Sequence, residues 1–109
     1  MQKRKNKQVQ LHKGTEEKVV GLKLETTNQF EKDVILANNQ GKDMDLLFDV
    51  IEKLCSKQNL DAKYKVHPLE PKSKGLWELH IKPNWLLVYK PFKDKIILMN
   101  TGSHNHIFG

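Results

Sequence analysis

Leu76-Trp77-Glu78-Leu79-His80-Ile81-Lys82-Pro83-Asn84-Trp85-Leu86-Leu87-Val88-Tyr89-Lys90-Pro91-Phe92-Lys93-Asp94-Lys95-Ile96-Ile97-Leu98-Met99-Asn100-Thr101 is the stretch on which the fold turns. It holds three runs rich in aliphatic and aromatic side chains, 76–81, 85–90 and 95–101. Pro83-Asn84 separates the first two and Pro91-Phe92-Lys93-Asp94 the last two, both with turn chemistry. Connections this short join antiparallel neighbours, so the stretch predicts a meander.

Upstream, 58–75 reads as a loop, broken by Pro68 and Pro71. Before it, Leu47, Val50, Ile51 and Leu54 recur at helical spacing and predict an amphipathic helix over 43–56. Asp43 and Asp45 lie in its first turn, where the helix dipole favours negative charge. A second helix is predicted over 29–38, with Phe30, Val34 and Ala37 on one face. Thr26-Thr27-Asn28 supplies its cap and Gly41 lies just past its end. Residues 19–24, Val-Val-Gly-Leu-Lys-Leu, read as a first strand. The predicted class is α+β: a helical hairpin packed on a small antiparallel sheet, one domain over 19–109. Residues 1–18 are polar and read as a flexible basic tail.

The formal net charge of +6 over 109 residues is unevenly spread. Residues 1–18 carry six basic and two acidic side chains, 19–62 five and eight, and 63–109 eight and three. Two basic ends flanking an acidic middle suit a polyanion such as RNA, or a lysine-rich solvated surface. Arg4 is the only arginine, and arginine is the side chain whose planar fork best fits phosphate. One cysteine, Cys55, cannot form an internal disulfide and reads as a small apolar core residue in a reducing compartment. The opening residues lack the apolar core of a secretion signal, and no run approaches the ~20 residues of a membrane span. The expected location is the cytoplasm, with no membrane partner.

The chemistry concentrates in the last third. His67, His80 and His104 fall on three segments that a meander gathers. Histidine gives and takes protons near neutral pH. Metal-free RNA cleavage needs a base for the 2′-hydroxyl, an acid for the departing 5′-oxygen, and positive charge at phosphorus. Three histidines with Lys72, Lys74 and Lys82 meet that list; scattered half-buried histidines are the competing reading. A zinc site at His104 and His106 lacks both a cysteine pair and an HExxH string. A Cys55 nucleophile is disfavoured by its apolar setting. No cofactor is implied. Trp77, Trp85 and Phe108 are the nearby aromatics, available for stacking on bases or for core packing.

Three separated strings, Lys63-Tyr64-Lys65-Val66-His67-Pro68-Leu69, Glu78-Leu79-His80-Ile81-Lys82-Pro83-Asn84-Trp85-Leu86-Leu87-Val88-Tyr89 and Thr101-Gly102-Ser103-His104 with Ile107-Phe108, closely resemble the YafQ branch of the RelE toxins. Phe30-Glu31-Lys32-Asp33 and the run from Gly41 to Leu54 look like that family's helical hairpin. The resemblance covers 19–109. It implies a ribosome-dependent messenger-RNA endonuclease neutralised by a cognate antitoxin protein. The family's catalytic histidines would fall on His67, His80 and His104, and its terminal aromatic on Phe108. The substrate-facing set would further include Lys82, Asn84, Trp85 and Asn100. The family's usual aspartate before the tryptophan is Asn84 here. Arginines common in related toxins fall on Trp77 and Asn100. A slowed nuclease is therefore expected, with lysines, Lys82 foremost, partly replacing the arginines. The alternative is a toxin-fold protein acting by binding RNA or a partner protein.

Overall fold

The computed structural model describes residues 21–109. The expected tail and the first two residues of the expected first strand, Val19 and Val20, lie outside the described residues. The elements in chain order are β1 (Lys23–Thr26), α1 (Asn28–Asn39), α2 (Met44–Cys55), β2 (His67–Pro68), β3 (Trp77–Lys82), β4 (Trp85–Pro91), β5 (Lys95–Gly102) and α3 (His104–Phe108). Two short 3₁₀ turns, Ala62–Tyr64 and Lys72–Lys74, interrupt the long connection between α2 and β3.

Both main helices begin where the capping residues place them. The Thr27 hydroxyl accepts from the Phe30 amide at 3.0 Å and donates to the Met99 carbonyl at 2.8 Å, so the cap of α1 also ties it to β5. The Asp43 carboxylate accepts from the Asp45 amide and starts α2. Phe30 and Ala37 of α1 and Leu47, Val50 and Ile51 of α2 are buried against one face of the sheet. That face contributes Leu79 and Ile81 from β3, Leu87 and Tyr89 from β4, and Ile96 and Leu98 from β5. No described helix is long and apolar enough to cross a membrane.

The sheet order is β1-β5-β4-β3-β2, with the predicted meander at its centre. β1 differs from expectation in two ways. It begins at Lys23 and runs through Thr26, and it pairs parallel with β5, in the register Lys23↔Lys95 to Thr26↔Leu98. The short-loop argument governs neighbours in sequence, whereas a parallel pair needs a long crossover. Here the whole helical hairpin, β2, β3 and β4 intervene. Part of the expected loop, His67–Pro68, is also a strand, pairing antiparallel with β3.

Candidate active site

Strand pairing decides which histidines can meet. Residues directly opposite on adjacent strands share a face, and neighbours along a strand alternate. Leu79 and Leu87 belong to the core, so Glu78, His80, Leu86 and Val88 face away from the helices. His67 of β2 lies opposite Glu78, Glu78 opposite Val88, and Val88 opposite Asn100. One row thus crosses four strands on the outer face. The adjacent row runs from His80 through Leu86 to Gly102, two residues before His104.

Asn100 reaches that face because of an irregularity. Leu98 faces the core, and simple alternation would send Asn100 the same way. The β4–β5 register shifts at Val88/Tyr89, leaving Met99 as the extra residue. A bulge of this kind reverses the alternation beyond it.

His67 is held from two sides. Its Nδ1 lies 2.8 Å from the Lys65 carbonyl and its Nε2 3.1 Å from Glu78 Oε1. Both neighbours are acceptors, so both bonds form together only when each ring nitrogen carries a hydrogen. Glu78 is buried, while 46% of the His67 side chain remains exposed. By contrast, the half-buried His80 ring has no hydrogen-bond partner among the described residues. His104, exposed at the start of α3, packs its ring 4.9 Å from that of Phe108, one turn on. Phe108 is itself 47% exposed.

The remaining expected site residues divide. Lys82 and Asn84 are exposed at the β3–β4 turn, beside a register shift between His80 and Lys82. Trp85 is a correction. It is buried in the core, and its indole Nε1–H donates to Thr101 Oγ1 at 2.9 Å. Lys42 sits 5.5 Å from its ring centroid. The ring leaves no face for a base to stack on. Trp77, half-buried, packs against the same core.

The sequence reading missed Asp33 and His106. Asp33 of α1 is buried, accepting from Gln29 Nε2 at 2.9 Å and from the Thr101 amide at 3.0 Å. His106 Nε2 lies 2.8 Å from its Oδ1. With Lys42, Gln40 and Ser103 they line a pocket of about 250 Å³. A signal existed: Asp33 falls between Phe30 and Ala37 on the apolar stripe, where a carboxylate needs partners.

Burial, followed by the Glu52 charge, pushes the Cys55 thiol up to about 11, which leaves little thiolate at neutral pH. Burial likewise pushes the Tyr89 phenol up to about 12. Neither group serves as a base near neutrality. Among the described residues, no cluster of three or more His, Cys, Asp or Glu is placed to hold a metal ion.

The chain matches the model of a family described as the bacterial toxin of type II toxin-antitoxin system, YafQ, over residues 22–109. It is 40% identical over 88 residues to the mRNA interferase toxin YafQ of Escherichia coli B/BL21-DE3, covering 79% of this chain and 95% of that protein. The toxin in the crystal structure of the E. coli DinJ-YafQ toxin-antitoxin complex superposes with a TM-score of 0.77 at 35% identity, covering 83% of this chain and 100% of that one. A metal-bound toxin from Helicobacter pylori superposes with a TM-score of 0.76 at 39% identity, covering 80% and 99%.

Proposed function

The chain belongs to the YafQ family of bacterial type II toxins, and on that premise we propose that it cuts messenger RNA on the ribosome by histidine acid–base catalysis. The observation that carries this reading is the outer face of the sheet. His67, His80 and Asn100 share it, and the His80 row ends at Gly102, beside the residues that lead into His104 and Phe108.

In this reading His80, whose ring is unengaged, takes the proton of the 2′-hydroxyl. The 2′-oxygen attacks phosphorus, the bond to the 5′-oxygen breaks, and His104 protonates that oxygen as it leaves. The products are a 2′,3′-cyclic phosphate and a free 5′-hydroxyl, with one proton taken and one given. His67 suits neither transfer while both its nitrogens are occupied. Its ring is held on the face, oriented by Glu78 and the Lys65 carbonyl. Phe108, one helical turn from His104, offers a ring against which a base can stack. Lys82, Asn84 and Asn100 face the RNA. The neutralising partner is an antitoxin protein, by likeness to the DinJ-YafQ complex, and the setting is the cytoplasm.

The test is cleavage of messenger RNA on programmed ribosomes, with RNA ends mapped for wild type, His80→Ala and His104→Ala. Wild-type cleavage that both variants retain would remove the two histidines from the chemistry. Binding without cleavage is the second reading. It is favoured by the absence of arginine among the described residues, since Trp77 and Asn100 stand where related toxins carry it. Ribosome binding by a wild type that never cuts would establish it.

A further inference from the structure

Helix α3 carries His104 and Phe108, yet it is five residues long and none of them is buried. Isolated helices of this length do not hold themselves in water, and there is little apolar contact to hold this one. Its N-cap is internal: Ser103 Oγ accepts from the His106 amide at 3.1 Å. The His104–Phe108 ring contact is also internal to the helix. Among the described residues, the side-chain bond joining α3 to the helical layer is that of His106 Nε2 to Asp33 Oδ1, at 2.8 Å.

The anchor is fixed at both ends. Asp33 is locked to α1 through Gln29 and to β5 through the Thr101 amide. The His106 ring packs against Gly102, where a Cβ would approach its Cδ2 to 2.6 Å, a contact that glycine avoids. Gly102 also ends the row that begins at His80. A single ring thus bears on the last residue of the catalytic row and, through α3, on the helix that delivers His104.

We propose that His106 is a positioning residue of the nuclease: bonded to Asp33 and seated on Gly102, it sets the pose of His104 and Phe108 toward the outer face. The inference rests on the nuclease reading above. Misplacing a reacting group by about 1 Å costs on the order of 10²-fold in rate. His106→Ala should therefore lower single-turnover cleavage on saturating ribosomes by about 10–100-fold, with ribosome affinity nearly unchanged. His106→Gln, whose amide N–H can still donate to Asp33, should recover most of the rate. Amide exchange at Ile107 and Gly109, the donors of the α3 backbone bonds, should accelerate in His106→Ala and stay slow in His106→Gln. Undiminished cleavage by His106→Ala overturns the proposal. So does equal slowing of both variants with α3 still protected, which would make His106 a participant rather than an anchor. If wild type does not cleave, the nuclease reading fails by itself. Exchange then decides the anchor, and unchanged α3 protection in His106→Ala refutes it.

Discussion

Among the described residues, two histidines meet two buried carboxylates, one pair on each side of the sheet, and the pairs are built differently. On the helical side, Asp33 is saturated: an imidazole, an amide side chain and a backbone amide all converge on it. On the outer side, Glu78 faces His67 in a row that continues to Asn100. A carboxylate bonded on all sides to elements of the fold acts as a joint between them. One whose partner remains nearly half exposed in an open row leaves that partner in contact with solvent. The same residue types thus yield a closed joint in one place and an open, partly exposed pair in the other, and the difference lies in how many donors the carboxylate has.

The largest effect expected is on the chemistry of the outer side. His80→Ala and His104→Ala should each reduce cleavage by about 10²–10⁴-fold while leaving the denaturation midpoint near wild type. Asp33→Asn, which loosens only the anchor of α3, should cost at most about 100-fold at full folding, and a larger loss would break the contrast.

Stability should divide the pairs in the opposite sense. Asp33→Asn turns an amide NH₂ toward donors that needed an acceptor, and should cost about 2–3 kcal/mol. Glu78→Gln meets one imidazole, which as the neutral tautomer can accept from the new amide, and should cost less than about 1 kcal/mol. Urea denaturation of the two variants is the measurement, and equal costs would erase the distinction.

Next in size is the missing arginine. Asn100 lies in the outer row, so Asn100→Arg should raise single-turnover cleavage by about tenfold, through a permanent charge near the phosphate. The gain should vanish in a His104→Ala background. No gain in either background would mean that lysines already supply that charge.

The smallest effect concerns neither pair. Removing residues 1–18 takes away six basic and two acidic side chains. It should weaken ribosome association at low salt, flatten the dependence of affinity on salt, and leave the cleavage rate of the bound complex alone. A fallen rate at saturation would tie those residues to the outer face.

Local chemistry made much of this legible. Thr27 caps the first helix where the sequence places its cap, while Asp43, expected in the first turn of the second, is its cap one residue before the helix starts. The meander follows from two short turns, and His67, His80 and His104 fall on segments that it gathers. What stayed hidden depends on distance or on one-residue irregularities. The parallel pairing of β1 involves partners at opposite ends of the domain. The extra residue at Met99 turns Asn100 to the outer face, and alternation alone would have hidden it. Trp85 reads equally as platform or core until its burial is seen. His106 offers no local sign of its partner, because Asp33 lies 73 residues away. The visible clue lay on α1, where Asp33 is a lone carboxylate in an apolar stripe.

The pairing of β1 with β5 bears on the order in which the molecule can be completed. β1 is among the first described segments to be translated, and its hydrogen-bonding edge belongs to one of the last. Until residues 95–98 have been made, Lys23 through Thr26 have no strand to join, and α3 with His104 is made later still. A ribosome synthesising this chain therefore holds an unfinished sheet until β5 is made, with the row from His80 to Gly102 still incomplete. A chain cut short before residue 95 therefore lacks both the strand that β1 joins and the helix that carries His104.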